Sequence, residues 1–163
     1  MRSAVCPGSF DPVTNGHLDV FTRASVMADH VTVAVLVNRT KQSMFTLDER
    51  VAFIKASVNH LSNVTVDVFE GLLVDWCRAH DVRHVIKGLR AISDFDYELQ
   101  MAQLNFRLAG VETAFVSTNP QYSYLSSSIV KEVSQHGGDV SGLVPEIVRE
   151  ALTSRYRTAS EGV

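Results

Sequence analysis

The chain has little of several things that would mark a specialised protein. Only two cysteines, Cys6 and Cys77, occur in 163 residues. They form neither a CxxC pair nor a zinc-ligand set, so a disulfide scaffold is excluded and a reduced, cytoplasmic setting is expected. Cys77 and His80 stand three apart, but two ligands do not make a metal site, and no metal-binding residues are predicted. No stretch approaches the ~20 apolar residues of a membrane span. The longest, Val31 to Val37, is strand-sized. No charged segment followed by an apolar one opens the chain as a secretory signal would. Nor is there a basic excess: 15 Lys and Arg face 18 Asp and Glu, a formal charge of −3, and lysine occurs only at 41, 55, 87 and 131. Nucleic acid is therefore a poor partner, and any smaller polyanion must meet positive charge gathered locally. The strings HExxH, GxxxxGK[ST] and GxGxxG are absent.

What is present is ordinary for a globular domain: 45% hydrophobic and 20% charged residues. The length predicts one domain, over residues 1–157, with a disordered tail from 158 to 163. Arg2 to Cys6 reads as a strand stopped by Pro7-Gly8, and Val31 to Asn38 as a strand covered on both faces. Val64 to Val68, Val82 to Ile86 and Glu112 to Val116 are three further strands. Between them, helical spacing runs from Gly16 to Ala28 and from the capping box at Thr46–Glu49 through Val58. Helices are also expected over Leu72 to His80 and Ile92 to Leu108, the last with Phe95, Leu99, Ala102 and Phe106 on one face. Ser126 to Gln135 and Pro145 to Tyr156 are closing helices. Strands alternating with helices predict an α/β fold, a doubly wound parallel five-stranded sheet with C-terminal helices. In such sheets ligands bind beyond the carboxyl ends of the strands, which ranks residues 8–17, 38–41, 69–73, 87–90 and 117–128 as site candidates.

The richest candidate is Pro7-Gly-Ser-Phe-Asp-Pro-Val-Thr-Asn-Gly-His17, which leaves the first strand and enters the first helix. Gly8 would let backbone approach a ligand, Ser9 adds a hydroxyl, and Gly16 opens a helix whose free N–H groups suit phosphate. His17 falls in the first turn, aimed at the same space. Lys87-Gly88-Leu89-Arg90 sets two cations around a glycine after the fourth strand. Ser126-Ser127-Ser128 exceeds what one N-cap needs. By themselves Lys41 and Lys131 read as surface lysines, Leu73 as core and Glu98 as a solvated helix face. His30, His60, His80, His84 and His136 fall in no motif.

Thr14-Asn-Gly-His17 resembles the T/HxGH signature of the nucleotidyltransferase superfamily. With Lys87-Gly-Leu-Arg90, Asp94-Phe-Asp-Tyr-Glu98 and Tyr124-Leu-Ser-Ser-Ser-Ile-Val-Lys-Glu-Val133 in this order, the chain resembles the bacterial phosphopantetheine adenylyltransferases over about residues 3–152. The resemblance implies a Rossmann-like nucleotidyltransferase fold. It also implies transfer of an adenylyl group from ATP, with Mg2+, to 4′-phosphopantetheine. His17 is then the transition-state stabiliser, with Lys41 and Arg90 beside it. ATP would be held by Ser9, Phe10, His17, Gly88, Leu89, Arg90, Glu98, Tyr122, Ser123, Tyr124, Leu125, Ser126, Ser127 and Ser128. The phosphopantetheine would meet Ser9, Lys41, Leu73 and Lys87. Lys87 and Tyr122 stand where many relatives carry Arg and Trp, so charge and aromatic surface are kept but a bidentate fork is not. A homohexamer and feedback by CoA are further implications.

Two other readings compete. A nicotinate-mononucleotide adenylyltransferase would share the superfamily signature, but the serine-rich string argues against it. A non-catalytic nucleotide-binding regulator could share the fold, but the coincidence of His17, Lys41 and Arg90 at strand ends argues against that. Direct in-line transfer is expected, because Cys6 lies inside a strand and no carboxylate neighbours His17 or Lys41 in sequence to activate either as a nucleophile.

Overall fold

A computed structural model describes residues 2–37, 42–90 and 92–160. The strands are β1 (Ser3–Gly8), β2 (His30–Val37), β3 (Val64–Glu70), β4 (His84–Leu89) and β5 (Glu112–Ser117). The helices are α1 (Asn15–Met27), α2 (Leu47–Val58), α3 (Leu73–Ala79), α4 (Ile92–Ala109), α5 (Ser127–Gln135) and α6 (Glu146–Ser160). The sheet is all-parallel, in the order β3-β2-β1-β4-β5, so the doubly wound α/β expectation holds.

The twofold alternation of strand residues splits the interior into two cores. Ala4, Cys6, Val31, Val33, Val35 and Ile86 face the larger one, where Phe21 of α1, Ile54 of α2, Val130 of α5 and Leu152 of α6 are buried. Val5, Ala34 and Val85 face the other way, against Val74, Trp76 and Cys77 of the short α3. β2 reads as a largely β-branched, nearly all apolar run because it is covered on both sides.

Several boundaries move. β1 runs on through Pro7 and Gly8, which pair with Ala34 and Val35 of β2. β4 begins at His84 and includes Lys87, Gly88 and Leu89, paired with Phe115, Val116 and Ser117 of β5. Gly and Pro read as turn signals, yet a parallel neighbour kept both segments extended. α1 starts one residue before Gly16, capped by Thr14. α6 spans Glu146–Ser160, against an expected closing helix from Pro145 to Tyr156. On α4, Asn105 is buried, while Phe95 and Phe106, two of the four residues expected to share a face, are exposed.

Candidate active site

The chain winds from β1 through β2 to β3 on one side of the sheet and through β4 to β5 on the other. β1 and β4 are therefore neighbours whose onward connections diverge, the switch point at which parallel sheets bind ligands. Their ladder holds only at Ala4–His84 and Val5–Val85. Beyond it both strands continue unpaired with each other, and a cavity of about 440 Å³ opens between their carboxyl ends. Ser9, Phe10, His17, Lys87, Gly88, Arg90, Glu98, Tyr122, Leu125, Ser126 and Ser127 all line it. Four strings far apart in sequence thus meet in one space.

His17 lies on the α1 side. Thr14 and His17 form a reciprocal capping box: the Thr14 hydroxyl accepts from the His17 N–H, and the Thr14 N–H donates to His17 Nδ1 at 3.0 Å. A backbone N–H can only donate, so Nδ1 of the neutral ring is the acceptor and the proton sits on Nε2. Burial, then the nearby Arg90 guanidinium, push the His17 pKa down to about 4. The imidazole is therefore a neutral donor at physiological pH. The Phe10 ring meets it edge-on, 5.1 Å between centroids.

The β4–α4 side is charged. Lys87 Nζ donates to Glu98 Oε2 at 2.6 Å, and Arg90 Nε to Asp94 Oδ2 at 3.0 Å, with another bond from Arg90 Nη1 to the Leu125 carbonyl at 2.8 Å. Glu98 is therefore not on a solvated face. Each cation has a carboxylate of α4 beside it. The third side is the start of α5. Ser126 is its N-cap, accepting from the Ile129 N–H, and the Ser127 hydroxyl donates to the Pro12 carbonyl at 2.8 Å. The serine run thus has at least two separate uses beyond any ligand.

Other expectations find different surroundings. Ser123, Tyr124 and Ser128 are exposed and lie outside the cavity lining, as does Leu89 at the end of β4. Leu73 starts α3 and packs on the smaller core. Lys41 lies outside the described residues. Gly8 and Gly88 line the cavity, but their Cα positions are crowded by protein: an added Cβ would come within 2.6 Å of the Phe10 ring and 2.7 Å of a Val20 methyl. Their smallness serves packing around the site. Lys131, read as a surface lysine, pairs with Asp11 at 3.2 Å.

Three residues escaped the sequence reading: Asp11, Arg50 and the role of Lys131. Arg50 is buried in α2, and its Nη1 donates to the carbonyls of Ser9 and Leu36 at 2.8 and 3.2 Å. Its spacing, three and four residues before Phe53 and Ile54, was the available signal that it faces inward. Asp11 accepts from the N–H groups of Met44 and Phe45, both at 2.9 Å. Nothing local distinguishes it from a turn aspartate. Cys6 lines the cavity floor, but burial pushes its thiol pKa up to about 12, so it offers no thiolate. Among the described residues, no three His, Cys, Asp or Glu side chains converge as a metal site, and no helix is long and apolar enough to cross a membrane.

Comparison with known proteins gives the same direction. Residues 5–133 match the cytidylyltransferase-like family. A phosphopantetheine adenylyltransferase of Frankia alni is 61% identical over 159 residues, covering 95% of this chain and 98% of the relative. Proteins of the same name from Streptomyces coelicolor and Thermobifida fusca are 58% and 54% identical, over 96% of this chain and 99% and 95% of theirs.

Proposed function

Because the chain belongs to the cytidylyltransferase-like family and, within it, to the phosphopantetheine adenylyltransferases, we propose that it transfers the adenylyl group of ATP reversibly to 4′-phosphopantetheine, giving dephospho-CoA and pyrophosphate in coenzyme A biosynthesis. The observation that carries this reading is the convergence of His17, Lys87, Arg90 and the start of α1 on one cavity at the β1–β4 divergence.

The reaction joins two anions. An oxygen of the phosphopantetheine phosphate attacks the α-phosphorus of ATP, the bond from that phosphorus to the bridging β-oxygen breaks, and pyrophosphate leaves with the electron pair. A phosphomonoester is already nucleophilic near neutral pH. What the protein must supply is orientation and cancellation of charge. His17, neutral with its proton on Nε2, donates to the oxygens of the transferring phosphate as charge builds on them. Arg90 takes the triphosphate, with Gly88, Leu89, Ser9, Phe10, Glu98 and the 122–128 segment around the nucleotide. Lys41, Lys87, Ser9 and Leu73 serve the acceptor. Magnesium arrives as part of the substrate, MgATP: hard oxygen ligands come from the phosphates, and the nearest carboxylates, Asp94 and Glu98, already hold Arg90 and Lys87.

Apolar side chains left exposed on α4, Leu104 and Leu108 among them, support self-association, for which a homohexamer is the proposed form. CoA shares both halves of the product, which supports feedback at the same cavity. Free, buried cysteines support a cytoplasmic setting. The deciding experiment measures pyrophosphate release from ATP with 4′-phosphopantetheine or nicotinate mononucleotide as acceptor. Release with the first alone is expected; release with the second alone, or with neither, overturns the reading. Incubation with α-labelled ATP and no acceptor should leave no label on denatured protein.

A further inference from the structure

Segment 9–14 connects β1 to α1 and forms one wall of the cavity. Its shape is not one a chain adopts unaided. Phe10 has φ 46°, in the left-handed region that a bulky side chain rarely enters. Such a conformation persists only when its surroundings over-determine it. The surroundings are specific. The Asp11 carboxylate, itself buried, accepts from the Met44 and Phe45 N–H groups with one oxygen each, and Lys131 Nζ of α5 donates to it at 3.2 Å. Burial alone would raise the Asp11 pKa, but those two amides and the ammonium outweigh it and hold the carboxyl below its ordinary range. Lys131 is itself fixed within the fold, as its carbonyl accepts from the Tyr156 hydroxyl of α6.

Two features of the reaction wall depend on this segment. The Phe10 ring abuts the His17 imidazole. The Thr14 N–H, three residues after Asp11, fixes the His17 tautomer. We propose that Asp11 and Lys131 are a positioning pair for catalysis: their partly buried ion pair docks segment 9–14 between α5 and the start of α2, and so holds Phe10 and the Thr14 N–H where they keep His17 as an oriented Nε2–H donor. Neither residue is part of the cavity lining. The pair acts through His17.

The kinetic part rests on the adenylyl-transfer reading; the spectroscopic part does not. The experiment uses the full chain with Asp11→Asn, Lys131→Met and the double variant. Lys131 is the gentler site, being partly exposed, so Lys131→Met decides alone where Asp11→Asn does not fold. Each variant should lower kcat roughly 10-fold to 100-fold, as a small misplacement of a reacting group does, with the KM for MgATP nearly unchanged. The double variant should fall no further than the worse single one, and Lys131→Arg should recover most of the rate. The 15N NMR signals of His17 should show a single Nε2–H tautomer in the wild type and a mixture in the variants. An unmoved His17 spectrum in every folded variant overturns the proposal, as does wild-type kcat in those variants of an active enzyme. If the wild-type chain makes no dephospho-CoA, the functional reading fails instead, and the His17 spectrum still decides the positioning.

Discussion

The two long walls of the cavity are built on opposite physical plans. The β1–α1 wall places Phe10, Thr14 and His17 through backbone bonds and buried contacts, and its key side chain is uncharged. The β4–α4 wall presents Lys87 and Arg90, long cations that are partly exposed and paired with Glu98 and Asp94. The first plan suits a group that must be in place before the transition state forms, because any reorganisation would be added to the barrier. The second suits capture of a highly charged ligand, since flexible ion pairs exchange partners at modest cost. The lesson is that rigid placement and partly exposed, paired charge are divided between the strands that part at the switch point.

The division breaks first at His17. His17→Ala should lower turnover by roughly 10²-fold to 10³-fold, the cost of one transition-state donor, while ATP affinity measured by calorimetry changes far less. Turnover near the wild-type level would remove His17 from the mechanism and with it the idea of a pre-organised wall.

Arg90→Ala should act on the opposite wall and with the opposite signature. A charge-assisted hydrogen bond is at stake, so kcat/KM for MgATP should fall roughly 10-fold to 100-fold, mostly through weaker binding. Titration by calorimetry and steady-state kinetics together separate the two terms. A pure kcat effect would place Arg90 with His17 and erase the distinction.

A pH series sharpens the contrast. His17 takes a proton near pH 6.5 when unfolded but only near pH 4 in the fold. The unfolded chain therefore binds more protons across that window, so this residue's contribution makes stability fall as pH drops from 6.5 towards 4 and leaves it flat above. Thermal melts of the wild type and His17→Gln should converge or diverge only inside that window. Likewise kcat should show no inflection from His17 near pH 6.5.

The smallest effect is expected from Glu98→Gln. A partly exposed ion pair contributes about 1 kcal/mol at most, so kcat/KM should move by less than about fivefold. The change should shrink further at high salt. A large, salt-insensitive loss would show that the α4 wall is as rigidly specified as the α1 wall.

Much of this is legible in the amino-acid sequence. A largely β-branched run marked β2, the capping box at Thr46–Glu49 placed the start of α2, and motif order gathered His17, Lys87, Arg90 and the serine run into one site. The two misplaced strand ends share a cause. Pro7-Gly8 and Lys87-Gly88 looked like turns because local propensity knows nothing of a parallel neighbour across the sheet.

The linear string determined which chemistry was available, because residue type and the alternation of strand and helix are local properties. Only the tertiary structure decided how that chemistry is held. Asp11 meets Lys131 across 120 positions of chain, Arg50 reaches back 41 to Ser9, and Ser127 spans 115 to Pro12. Such contacts leave no periodic trace in sequence, since each partner is an ordinary polar residue until folding removes water from around it. Burial then makes an unmet charge or N–H costly enough to dictate where the neighbouring segment must lie.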